Sequence, residues 1–71
     1  MAEELQAPLA GTILSVLVVP GAKVDRDDEL LVIEAMKMEN MIYAPCAGAI
    51  KTVMVKAGDK VEAGDLLLVI E

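Results

Sequence analysis

The sequence predicts an all-β domain: a compact antiparallel barrel or sandwich of about eight short strands, four from each half of the chain. Three observations carry this expectation. The chain repeats itself without a gap, its β-branched runs are punctuated by glycine turns, and its 71 residues suffice for one domain only. A chain of this size buries roughly 60% of its unfolded surface, so its core has to be simple and well packed. The expected domain spans residues 1–71.

The repeat has a period of 37 residues. It places Ala7-Pro8 on Ala44-Pro45 and Ala10-Gly11 on Ala47-Gly48, then Ile13, Val16 and Val18 on Ile50, Val53 and Val55. Gly21, Lys23-Val24 and Asp28 meet Gly58, Lys60-Val61 and Asp65, and the repeat closes with Leu30-Leu31-Val32-Ile33-Glu34 over Leu67-Leu68-Val69-Ile70-Glu71. Two copies of one supersecondary unit, each unable to bury its apolar face alone, should pack as a pseudo-symmetric pair.

The elements follow in order. Thr12 to Val19 and Ala49 to Lys56 are β-rich; the glycine before each can supply a bend or bulge, and Gly21 and Gly58 after them a tight turn. Short pieces around Val24 and Val61 lead into acidic turns. The segment Glu29 to Tyr43 is harder: it lacks Gly and Pro, is rich in helix formers, and sets Leu31, Ala35, Met38 and Ile42 at helical spacing. By composition alone it is a helix. The repeat overrides composition, because the second Leu-Leu-Val-Ile-Glu directly follows the Ala63-Gly64-Asp65 turn and reads as a strand. Its first copy must be a strand too. Met38 to Tyr43 then matches Met1 to Gln6, so the middle segment divides into two strands that meet near Met36-Lys37.

Lys37 therefore lies at or beside a hairpin turn. By the same symmetry, its junction corresponds to the open junction between Glu71 and Met1, which places lysine and termini at opposite ends. The turn breaks a local rule: two-residue hairpins favour Asn-Gly or Asp-Gly, since both central residues need positive φ, and Ala-Met-Lys-Met offers neither. Rules of this kind are broken most often where function requires it, and two methionines beside an exposed lysine put soft apolar surface where solvent is expected.

Composition narrows the function classes. There is no His, Phe or Trp, and the formal charge is -6. Nucleic-acid binding lacks its basic patch and stacking aromatics, and histidine acid-base chemistry and His-based metal sites are absent. The acidic run Asp25 to Glu29 does not fit a calcium loop, since Leu30 and Met36 stand where Gly and Glu are needed. No metal is expected. The one cysteine, Cys46, repeats as Leu9 and reads as a small packing residue. Lys23 and Lys60 recur after glycine turns and read as solvated turn residues. The longest apolar run, Ile13 to Pro20, is too short to span a bilayer and no basic leader precedes it. A soluble cytoplasmic domain is expected.

Glu34-Ala35-Met36-Lys37-Met38-Glu39 resembles the attachment motif of biotinyl domains, the biotin carboxyl carrier family, in which the lysine between two methionines receives biotin. The Ala-Pro pairs, the paired glycines and the half-repeat extend the likeness over nearly the whole chain. The resemblance implies a flattened barrel of two four-stranded sheets related by a quasi-two-fold axis, with the lysine on a protruding hairpin. It also implies a covalent biotin amide on Lys37, made by a biotin protein ligase that reads Met36 and Met38, together with Ala35, Glu34 and Glu39. Glu34 also has a purely structural reading, since it recurs as Glu71. An exposed lysine is almost wholly protonated at neutral pH, so the ligase must help remove its proton. The loaded arm would carry CO2 between a biotin carboxylase site and a carboxyltransferase or decarboxylase site, and the domain itself would catalyse nothing.

The gap-free repeat leaves no room for the thumb insertion of some bacterial carriers. The chain looks closer to carrier domains of acyl-CoA or oxoacid carboxylases and of biotin-dependent decarboxylases. Those usually carry an Ala/Pro-rich linker upstream; its absence suggests an excised domain or a small free-standing carrier. A lipoyl carrier would share fold and hairpin but resembles Asp-Lys-Ala at the attachment site. An unmodified interaction module, binding a partner through its Met-rich tip, is the alternative from another class.

Overall fold

The computed structural model describes residues 2–71, and the expected strand contribution of Met1 lies outside them. Eight strands follow one another: β1 (Glu3–Gln6), β2 (Gly11–Val16), β3 (Lys23–Val24), β4 (Glu29–Ala35), β5 (Met38–Tyr43), β6 (Gly48–Val53), β7 (Lys60–Val61) and β8 (Leu66–Ile70). They form two four-stranded antiparallel sheets, ordered β1-β8-β6-β3 and β5-β4-β2-β7. Adding four to each strand number, cyclically, turns one order into the other, so the sequence repeat is a repeat of topology. The two halves interlock: each sheet takes two strands from the first half and two from the second.

The register shows the same symmetry residue by residue. Ile13 faces Ile33 across β2 and β4, and Ile50 faces Ile70 across β6 and β8. Each ladder then slips at the same place, between Ile13 and Ser15 and between Ile50 and Thr52. β2 and β6 begin at their glycines and end at Val16 and Val53, three residues earlier than the β-rich composition suggests. The backbone stays tied for one residue more, with Leu17 N–H donating to Leu30 O and Met54 N–H to Leu67 O, before turning towards Gly21 and Gly58.

Helix propensity loses in Glu29 to Tyr43 because burial decides the matter. Leu30, Leu31 and Ile33 on β4, and Leu67, Leu68 and Ile70 on β8, have almost no exposed surface, and Ile13 and Ile50 complete the interior. Composition made this segment a good helix, but the available partners, β2 on one side and β5 on the other, exist only for a strand. Cys46 and its repeat mate Leu9 are half-buried and pack against this core.

The acidic turns close through their carboxylates. Asp28 Oδ2 accepts from Asp25 N–H at 2.8 Å, and Asp65 Oδ2 from Glu62 N–H at 2.8 Å. The repeat therefore keeps aspartate at 28 and 65 as the side chain that holds the turn. Asp27 adopts φ 72° where its mate Gly64 has φ 92°, a left-handed conformation that aspartate tolerates. Asp59 closes a third turn, accepting from Lys56 N–H at 2.9 Å. That backbone hydrogen bond, aided by the Lys56 side chain, holds the Asp59 carboxyl below the usual carboxylate range.

Two tests follow from this packing. Leu68→Ala should cost about 2–5 kcal/mol in urea unfolding, a large part of the roughly 4–10 kcal/mol available to a chain this small; a loss under 1 kcal/mol would contradict the core assignment. Because the folded Asp59 pKa is depressed, its stabilising contribution is full above the ordinary carboxylate range and disappears as pH falls through the folded value. NMR titration should place its midpoint below that of free aspartate, and Asp59→Asn should flatten the acid limb of the stability curve.

Candidate functional site

The site is built on the hairpin between β4 and β5. The two strands are paired from Glu29↔Tyr43 up to Ala35↔Met38, which leaves Met36 and Lys37 as the two residues of the turn. Both have positive φ, 54° and 63°, the signature of a type I′ turn. Each costs a residue with a Cβ roughly 1–2 kcal/mol relative to the right-handed alternative. The strain is tolerated because cross-strand pairing below the turn fixes the register and leaves only two residues for the connection.

Below the turn the hairpin is anchored from three sides. Ala35 is 5% exposed and joins the core, so its side chain faces inward while its neighbours face solvent. Gly11 of β2 passes beneath it: a Cβ there would collide with Glu34 O and lie 2.8 Å from Ile33 Cγ2. Only glycine allows this approach, and Gly48 occupies the matching place beside Glu71 and Ile70. Asn40 is the anchor that sequence reasoning missed. Its Nδ2 donates to Met38 O at 3.2 Å and, at the longer distance of 3.5 Å, to Ile33 O. The available signal was an asparagine inside a strand, where it is disfavoured.

The tip presents a defined set of groups. Lys37 is exposed and takes no part in the ion pairs among the described residues, which join Lys51 to Glu71 and Lys56 to Asp59. Met36 is 89% and Met38 66% exposed. Glu34 and Glu39 are exposed and face each other across the strands. Like charges directly opposite destabilise a sheet, so this pair is not explained by stability. The arrangement offers an unpaired primary amine at an apex with apolar thioethers beside it and two carboxylates beneath. Apart from Ala35, all the residues singled out in the motif reach solvent.

Such an amine suits covalent attachment of a group that must reach away from the domain surface. The family model described as biotin-requiring enzyme, which covers biotin and lipoyl attachment, matches residues 3–70. The chain belongs to this family, as a biotinyl domain. It is 58% identical over 38 residues to the gamma subunit of glutaconyl-CoA decarboxylase of Acidaminococcus fermentans, covering 54% of this chain and 26% of that one. It is 51% identical over 41 residues to the biotin carboxyl carrier protein of Streptococcus mutans, covering 58% of this chain and 32% of that one. The matched stretches span no more than about a third of these relatives' own length.

Among solved structures, a single-chain, multi-domain long-chain acyl-CoA carboxylase aligns with a TM-score of 0.90 and 41% identity over 96% of this chain and 7% of that one. The lipoyl domain of the 2-oxoglutarate dehydrogenase complex of Azotobacter vinelandii aligns with a TM-score of 0.84 and 28% identity over 96% and 94%. The architecture of two four-stranded sheets is therefore shared with both structures. Identity is higher on the carboxylase side.

The strained apex of the biotinyl domain makes a measurable claim. The double variant Met36→Asn, Lys37→Gly should raise the stability of the domain by about 1–2 kcal/mol in denaturant unfolding, since both residues then suit positive φ. Unchanged or lowered stability would show that the wild-type turn carries no strain.

Proposed function

We propose that Lys37 is the attachment point for biotin and that the domain is a mobile, non-catalytic carrier. The observation that carries this reading is the position of Lys37: a residue of a type I′ turn, exposed and unpaired, between two exposed methionines. The residues present fit a covalently held group. A single amide bond supplies the whole attachment, so the domain needs no cavity around the cofactor, and the apex leaves the arm free to swing.

In loading, the Nζ amine of Lys37 attacks the carbonyl carbon of biotinyl-adenylate bound to a biotin protein ligase, AMP leaves, and the ligase takes the amine proton. Met36 and Met38 form the apolar part of the surface that the ligase grips, and Glu34 and Glu39 its acidic part. Ala35 contributes from below, by seating the hairpin on the core. Bound biotin supplies a ring nitrogen that carries CO2. Tethering raises its effective concentration at each site it visits.

The parent assembly is a biotin-dependent carboxylase or decarboxylase of the acyl-CoA or oxoacid type, and the partners are its biotin carboxylase and its carboxyltransferase or decarboxylase components. Support comes from the names of the relatives, a CoA-ester decarboxylase subunit and a carboxyl carrier protein among them. A cytoplasmic or mitochondrial-matrix setting suits such an assembly. Attachment of lipoate is the competing reading, favoured by the fold alone; Met36-Lys37-Met38 in place of an Asp-Lys-Ala motif supports biotin.

Intact mass after incubation with biotin, ATP and a biotin protein ligase is the direct test, run on wild type and Lys37→Arg together. Wild type should gain one biotinyl group and Lys37→Arg none, because a guanidinium keeps the charge but does not acylate. A gain on both proteins would move the site elsewhere, and a gain on neither would turn the assignment to lipoate or to an unmodified interaction module.

A further inference from the structure

We propose that Met36 and Met38 form an oxidation-sensitive modification site that gates the loading of Lys37: sulfoxide at these positions blocks the ligase, and reduction restores it. This rests on Lys37 being the attachment point.

The argument begins with access. Peroxides oxidise methionine in proportion to the exposure of its sulfur. Met36, 89% exposed, and Met38, 66% exposed, are the two most exposed methionines among the described residues. The turn holds Met36 at φ 54°, and its side chain stands in solvent. Met41, farther along β5, is half-buried. Met54 is 59% exposed but follows β6 and is not on the hairpin. The chain thus carries a shielded methionine beside the site, which serves as an internal control, and an exposed one off the hairpin, which the test removes.

The chemistry needs one co-reactant, a peroxide. A sulfur lone pair attacks the outer peroxide oxygen, the O–O bond breaks, an S–O bond forms, and the remaining oxygen leaves with a proton as water or an alcohol. Sulfur is oxidised by two electrons and the peroxide reduced by two. A thiol-dependent sulfoxide reductase reverses the change, its two thiols becoming a disulfide while the oxygen leaves as water.

The consequence follows from what a ligase meets at the apex. The thioethers are soft and apolar and suit an apolar contact. A sulfoxide is a strong hydrogen-bond acceptor, and burying it against the same surface without a donor removes water with nothing in return. Charge does not change and neither side chain is in the core, so oxidation should alter recognition and leave the fold intact.

The test uses the whole chain in a Met54→Leu background, which removes the exposed methionine outside the hairpin. Apo protein is treated with hydrogen peroxide, sulfoxide at each methionine is mapped by peptide mass, circular dichroism checks the fold, and the loading rate is measured with biotin, ATP and a biotin protein ligase. Oxidation at Met36 and Met38 should outpace that at Met41, and loading should slow about tenfold or more, as expected when a buried acceptor goes unpaired. Treatment with methionine sulfoxide reductases should restore it. A loading rate within twofold of the untreated value, with Met36 and Met38 mapped as sulfoxide, would overturn the proposal, as would a loss that reduction fails to reverse. Untreated protein that does not load at all would instead overturn the assignment of Lys37 as attachment point.

Discussion

The two Leu-Leu-Val-Ile-Glu runs bear most of the weight, because six of the eight largest fully buried side chains come from them and each is flanked by strands on both sides. β4 is clasped between β5 and β2, β8 between β1 and β6. β5 and β2 pair with β4, and β1 and β6 with β8, while β7 and β3 complete the sheets on β2 and β6; the glycines of β2 and β6 let their backbones pass β4 and β8 closely. The hairpin is an extension of one such strand past the point where its burial ends. Its tip can be strained, apolar and crowded with like charges because the strand beneath it is fixed by core packing.

This separation explains which parts of the molecule could be read in the chain. The strands were legible because the repeat supplied a second copy in a clearer setting; Glu29 to Tyr43 alone would have been read as a helix, and only Leu67 to Glu71 corrected it. The place of Lys37 was legible for the same reason. Less visible were features that depend on one residue meeting another far away in sequence. That Ala35 is buried while Met36 and Met38 are not becomes visible only once Gly11 of β2 lies beside it in the folded sheet. The hydrogen bonds of Asn40 to Met38 O and Ile33 O form only after β4 and β5 are in register. The acidic run Asp25 to Glu29 looked like a charge cluster, whereas its working member is Asp28, which closes a turn with its carboxylate.

Stability and presentation pull in opposite directions at the hairpin. A turn chosen for stability would carry Asn-Gly and would have no opposed carboxylates beneath it. The observed apex gives up some stability to hold an amine and two thioethers at the end of a rigid strand pair. Because the strain sits in two residues and the support in the strands below, chemistry at the tip can change without disturbing the core. Acylation of Lys37, as proposed, would remove its positive charge and make the tip more acidic without touching the core.

The interlocked symmetry has a further consequence. β1 and β8 lie side by side and antiparallel, with Glu3 opposite Ile70, just as β5 and β4 pair Asn40 with Ile33. What separates the two ends of the molecule is a single peptide connection, present at Met36-Lys37 and open at the other. A short turn joining β8 to β1 would stand to that pair as Met36-Lys37 stands to β4 and β5, so the strand order within each sheet does not depend on which of the two ends is joined. The topology is thus the same seen from either end, and the lysine hairpin tells one end from the other.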